Sequence, residues 1–166
     1  MLIFISGSIN SGKTTTSKLL AKRLDWPLIN VDDLTDKVVG FDIYTHLDLA
    51  MDLAIDAINK ISLDNKDVVA NFVIRKEDYE RIDKEINNHP QLFITLSPNI
   101  NVAQSKRGDR ELTEWEIKRV KKHYDEGIAS PDYGYKIDNS KLSVEETVEA
   151  ILLLVMKYSS KNTEIY

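Results

Sequence analysis

The stretch Gly7-Ser8-Ile9-Asn10-Ser11-Gly12-Lys13-Thr14 has the residue types and spacing to hold phosphate. Its glycines let the backbone curl so that successive N–H groups point at one spot. A helix opening at the end of such a loop adds free N–H groups and the positive end of its dipole. Lys13 is long enough to reach the β- and γ-phosphates of a nucleoside triphosphate, and the Thr14 hydroxyl suits a Mg²⁺ ion. The expected nucleotide contacts are Gly7, Asn10, Ser11, Gly12, Lys13, Thr14 and Thr15. Asn65-Lys66-Asp67 falls one residue short of a guanine-reading N-K-x-D signature, which tilts the expected nucleotide toward ATP.

Four other groups add chemistry to that loop. Asp32 and Asp33 are adjacent carboxylates. A triphosphate with its metal needs anionic ligands, and a hydroxyl that receives phosphate needs a base. Asp32 is the candidate metal ligand, and either Asp32 or Asp33 is the candidate base; both would also suit an ordinary turn. Arg107 and Arg110, in Lys106-Arg107-Gly108-Asp109-Arg110, are candidate lid cations that close over the γ-phosphate, with Gly108 as hinge. Asn71 occupies a position where phosphate-loop ATPases often carry an acid, and an amide there is neither base nor anionic ligand. It reads either as a hydrogen-bonding group for substrate or as a buried amide serving the backbone. Asp138-Asn139-Ser140 reads as an adenine-lining segment or a plain turn, with Asn139 the candidate contact.

Other residues carry blander readings. Tyr44 and His46 either face the acceptor or start a helix. Trp26 and Trp115 read as packing residues before base-stacking platforms, Arg75 as a surface arginine before a grip on an anionic acceptor, and Lys118, Arg119, Lys121 and Lys122 as a solvated helix face. His89 and His123 show no metal-ligand spacing.

These residues need elements to hold them. Leu2-Ile3-Phe4-Ile5 is an apolar strand running straight into the loop, and Thr15 to Leu24 is a helix after it. Leu28 to Val31 is a second strand, His46 to Ile61 a long amphipathic helix, and Asp67 to Val73 a third strand. A helix over Glu77 to Asn87 and a strand over Leu92 to Leu96 follow. Gln104 to Ser130 is a charged, helix-containing insertion, the expected lid. Residues 105–123 hold seven Lys or Arg against four acids in a chain of net charge -5. Thr113 and Ser143 begin capping-box spellings that start helices, with a short strand at Tyr135 to Asp138 between them. The tail from Ser159 is polar and expected to fray. Strands alternating with helices imply one domain with a mostly parallel sheet and helices on both faces. Ligands of such sheets sit at the carboxyl ends of the strands, where the candidate residues fall.

The 166 residues, 42% of them hydrophobic, suffice for one sizeable core. The acidic balance argues against a general nucleic-acid or membrane-surface binder. With no cysteine there is no disulfide, thiol nucleophile or thiolate metal site, which fits the expected cytoplasmic location. The first residues read as a buried strand and not a signal peptide, and no apolar run reaches membrane-spanning length.

Gly7 to Thr14, the aspartate pair after strand two, the lid arginines and Asp138-Asn139-Ser140 together resemble the small P-loop kinases. That group includes shikimate kinase, gluconate kinase, chloramphenicol phosphotransferase and the nucleoside monophosphate kinases. The resemblance implies a three-layer fold with a five-stranded parallel sheet in order 2-3-1-4-5 and a helical lid. It implies transfer of the γ-phosphate of Mg-ATP to a hydroxyl of a small acceptor by a monomer or weak homodimer. Asp32 or Asp33 would meet the acceptor or the metal, and Arg107 and Arg110 the phosphates. Ala70-Asn71-Phe72-Val73-Ile74-Arg75 replaces the glycine-rich turn of the shikimate kinases, so the nearest likeness is to the chloramphenicol phosphotransferase-like group. A nucleoside or nucleotide acceptor, an ATP sensor and a plain NTPase are the alternatives.

Overall fold

A computed structural model describes residues 1–42, 45–62, 66–86, 89–108 and 111–163. Its elements, in chain order, are β1 (Leu2–Gly7), α1 (Lys13–Leu24), β2 (Leu28–Asn30), α2 (Val31–Thr35), α3 (Leu47–Ser62) and β3 (Val68–Asn71). They continue with α4 (Lys76–Glu85), β4 (Gln91–Leu96), α5 (Ile100–Ala103), α6 (Glu114–Asp125), β5 (Tyr135–Ile137) and α7 (Val144–Thr163). The strands form one parallel sheet in the order β2-β3-β1-β4-β5, as the resemblance implied.

β1 explains why the sheet is covered on both faces. Side chains alternate across a strand, and this strand is apolar on both sides. Leu2 and Phe4 join Val68, Ala70 and Phe93 under α3 and α4, with Ala54, Ile58 and Ile82 fully or almost fully buried. Ile3 and Ile5 join Val69, Leu92 and Ile94 under α1 and α7, through Leu20, Val148 and Ile151. Phe4 stacks on Phe93 at 4.5 Å and meets Phe72 edge-on, which fixes the centre of the first layer. In register, Leu2 to Ile5 pair with Val68 to Asn71, and Leu2 to Gly7 with Gln91 to Leu96. Gly7, Asn30, Asn71 and Leu96 thus end at one edge of the sheet.

Both capping boxes are present. Thr113 Oγ1 accepts from Glu116 N while Glu116 accepts from Thr113 N at 2.8 Å. Ser143 and Glu146 make the same reciprocal pair at 3.1 and 2.8 Å. Two elements differ from the sequence reading. The segment after β2 begins with a one-turn helix, α2, carrying Asp32 and Asp33 in its first turn. α7 continues through Thr163, past the point where fraying was expected. No glycine or proline stops it, and Ser160 turns its hydroxyl back onto Lys157 O at 3.0 Å. Among the described residues no helix is long and apolar enough to cross a membrane.

Gly7 is where the sheet becomes the loop. Its φ is +142°, and a Cβ there would sit 2.4 Å from the Leu96 carbonyl oxygen and 2.6 Å from Ser11 Oγ. Neither the torsion nor the space admits a side chain. Gly7→Ala is expected to cost about 1–3 kcal/mol of stability, read by urea unfolding. An unchanged midpoint would mean that the loop leaves β1 by another path.

Candidate active site

The phosphate loop is built from its backbone outward. Gly12 takes φ +94° at the N-cap of α1, and no side chain caps that helix. Its first turn holds no acid. The first amides of this twelve-residue helix thus have neither a side-chain cap nor an acid in their own turn. Asn10 adopts a left-handed φ of +60° and donates from Nδ2 to Ala103 O and Ser105 O, both at 2.9 Å. This ties the loop tip to the start of the lid segment. Arg107 comes back over the loop, donating from a guanidinium nitrogen to Asn10 O at 3.2 Å. Asn139 braces the loop from the far side, donating to Ser11 O at 2.9 Å. Lys13 Nζ donates to Ser8 O at 2.9 Å, so the lysine lies along its own loop.

A cleft of about 880 Å³ runs from this loop across the carboxyl edge of the sheet. Asn10, Gly12, Lys13, Thr14, Thr15 and Arg107 form its phosphate-loop wall. Asp32 and Thr35 of α2 stand at the middle, beside Leu47, Ala50 and Met51 of α3. Phe72, Val73, Arg75 and Asp78 close the floor beyond β3. Trp115, Arg119, Lys122, His123 and Glu126 form the α6 wall.

The expected site residues divide accordingly. Lys13, Thr14, Thr15, Gly12, Asn10, Asp32 and Arg107 line one cleft. Gly7 and Ser11 do not line it; they shape the loop from beneath. Asp33 does not line it either, and its carboxylate accepts from Asn30 Nδ2 at 2.7 Å. Asn139 reaches loop backbone and lies in a turn in which Asp138 accepts from Ser140 N at 2.9 Å. Arg110, Tyr44 and Asn65 lie outside the described residues. His46 accepts from Asp42 N at 3.0 Å ahead of α3. Asn71 is a buried amide, 1% exposed, but it serves a side chain and not the backbone: it donates to Ser17 Oγ of α1 at 2.5 Å, locking β3 to that helix.

Three sequence readings are corrected. Arg75 is not a surface arginine. Its guanidinium lines the cleft, held by Asp78 through Nε at 2.9 Å and a second nitrogen at 2.7 Å. The hydrogen bond to Asp78 also raises its pKa, against the opposing effect of burial. Trp115 is not packed away: it is 48% exposed and lines the cleft. Arg119 and Lys122 belong to the cleft wall and not to an outer face. Trp115, Arg119, Lys122 and Glu126 are spaced four, three and four apart, which is one face of a helix. Inward Val120 and His123, at 0% and 3% exposure, and the Tyr124 hydroxyl bonded to Pro98 O anchor that face toward the body. Burial, then the charges of Arg119, Lys13 and Lys122, push the His123 imidazole down to about 4, so the ring is neutral at pH 7.

Among solved structures, shikimate kinase from Aquifex aeolicus vf5 is similar over 96% of this chain and 98% of its own, at 20% identity and TM-score 0.63. A gluconokinase from Sinorhizobium meliloti 1021 is similar over 99% and 97%, at 13% identity and TM-score 0.71. Shikimate kinase from Acinetobacter baumannii, solved in complex with shikimate, covers 94% and 93%, at 14% identity and TM-score 0.67. The fold is that of the small P-loop kinases. No protein-family model matches the sequence, and no curated protein matches it. Within this P-loop kinase fold the uncapped α1 amides, Lys13 and Arg107 make an all-donor cradle that suits polyphosphate. Among the described residues no cluster of three or more acids, histidines or cysteines could hold a metal by itself. Mg²⁺ on a nucleotide does not need one: it takes one or two protein oxygens, with phosphate and water filling the rest. Thr14 and Asp32, which share the cleft, fit that donor set.

Proposed function

We propose that this chain is an ATP-dependent kinase that moves the γ-phosphate of Mg-ATP to a hydroxyl of a small-molecule acceptor. The observation that supports it is the continuity of the cleft. One cleft is lined both by the phosphate-loop residues Gly12, Lys13 and Thr14 and by apolar Leu47, Met51 and Phe72, with Asp32 in the same lining. A hydrolase needs room for water there; an apolar floor suits the body of an organic acceptor.

In this reading the loop amides and Lys13 hold the phosphates in line, and Thr14 and Asp32 would hold Mg²⁺, which would supply charge neutralisation to the transferred group. Asp32 orients the acceptor hydroxyl and takes its proton. Arg107, joined by Arg110, covers the phosphates, and Gly108, at φ +61° in open space, permits the lid to hinge. Closure excludes water, so turnover without acceptor is slow.

Arg75 serves the acceptor in this scheme. Asp78 holds its fork in one orientation, which lowers the cost of binding an anionic or hydrogen-bonding group on the acceptor. Arg75→Ala is expected to raise the acceptor KM about tenfold with the KM for ATP unchanged, measured by steady-state kinetics. Equal effects on both would remove Arg75 from the acceptor side.

The test of the whole reading is ADP release over a panel of hydroxyl compounds. Stimulation by one chemical class supports a kinase. Tight ATP binding with no stimulation by any compound would favour a nucleotide sensor, and acceptor-independent turnover an NTPase. An amide in place of an acid at Asn71 would suit such a sensor, but that amide has a structural use at the β3–α1 junction.

A further inference from the structure

His123 packs inward on α6, but its ring nitrogens have no hydrogen-bond partner in that packing. It is 3% exposed, yet its ring lines the cleft on the inner face of α6. Nδ1 is sealed from solvent and has no hydrogen-bond partner. Nε2 is not sealed and has no partner among the described residues either. A buried imidazole that bonds to nothing is costly in a folded protein unless something else completes it.

Its surroundings indicate what that is. The charged groups acting on the ring are Arg119 and Lys122 from its own helix and Lys13 from the phosphate loop. All three are donors. Glu126, the acid on the same wall, is engaged by Lys122 at 3.5 Å. At the sealed Nδ1 an unmet lone pair is tolerated better than an orphaned N–H, which leaves the ring proton on Nε2. The ring thus offers a neutral donor to the cleft that Lys13 also lines. It adds a directed hydrogen bond where a further positive charge would be repelled.

We propose that His123 is a further ligand-contacting residue, whose Nε2–H donates to an oxygen of the terminal, transferable phosphoryl group. This rests on the kinase reading, because it requires a triphosphate in the loop. It goes beyond that reading by adding α6, and not only the lid loop, to the phosphate contacts. His123 then discriminates triphosphate from diphosphate: product ADP lacks the group it touches, and loses the contact when transfer is complete.

The experiment is calorimetric binding of Mg²⁺ with ADP, and of Mg²⁺ with a non-hydrolysable ATP analogue, to the wild type, His123→Leu and His123→Gln. Leucine keeps the volume without either nitrogen; glutamine places an amide donor near the position of Nε2. His123→Leu is expected to weaken the analogue at least about tenfold while ADP stays within about twofold, and His123→Gln to recover most of the loss. Unchanged analogue affinity, equal loss of both nucleotides, or no recovery by glutamine would overturn the proposal. If His123→Leu fails to fold, the wild type still decides. Its histidines are His46, His89 and His123. The imidazole NMR signal of His123 is expected to move with the analogue and not with ADP; the same shift with both would overturn the contact. Wild type binding neither nucleotide, or Lys13→Ala binding both as well as wild type, would instead remove the kinase reading beneath it.

Discussion

Lys13→Ala is expected to lower ATP turnover by about 10²–10³-fold, because it removes a preorganised cation from the charge that develops on the transferred phosphoryl group. The fold should survive. Lys13 Nζ donates to Ser8 O of its own loop, and that loop has independent supports in Asn10, Asn139 and the β1 edge. Unfolding midpoint and turnover should therefore separate: near-wild-type stability with turnover almost gone. Lys13→Arg should not rescue, since a planar fork cannot replace a compact ammonium within a curled loop. If Lys13→Ala retained turnover with wild-type stability, the loop would not be the phosphate site.

Asp32→Asn is expected to lower kcat by about 10²–10⁴-fold while the Kd of a nucleotide in the absence of Mg²⁺ stays near wild type. Asparagine keeps the shape and one hydrogen bond, but cannot take a proton or bind a metal as an anion. Asp33→Asn is the matched control. Its carboxylate is turned to Asn30 at 2.7 Å and does not line the cleft, so the expected effect is small and falls on stability. The pair thus resolves what the sequence left open. A larger kinetic loss for Asp33→Asn than for Asp32→Asn would reverse the assignment.

The uneven legibility of this chain has physical causes. β1, β3 and β4 are central or nearly so, buried on both faces, and therefore spelled as mostly apolar runs. The phosphate loop is spelled by backbone needs, glycine at positive φ above all, which few other structures impose. α2 and α5 are one-turn helices, five and four residues long, and too short to show a period. The α6 wall was missed for another reason. Its charges alternate in sign, as a solvated helix does, and hydrophobic patterning ranks such a face as outward. Yet a helix lining a wet cleft must also be polar on its inner face. The four-three-four spacing of Trp115, Arg119, Lys122 and Glu126 was the readable signal, with a half-exposed tryptophan among charges as its marker. Arg75 and Asn71 needed three dimensions. Whether an arginine after a strand meets water or a cleft depends on Asp78 one turn later, and Asn71 on Ser17 of a helix 54 residues away in sequence.

The central claim is that the γ-phosphate ends on a small organic hydroxyl. The most direct measurement follows label from γ-phosphate-labelled ATP during incubation of the protein with Mg²⁺ and pooled metabolites. The expected result is label in an acid-stable phosphate ester of one chemical class, absent with Lys13→Ala and strongly reduced with Asp32→Asn. Label recovered only as inorganic phosphate, at a rate no metabolite pool changes, would contradict it.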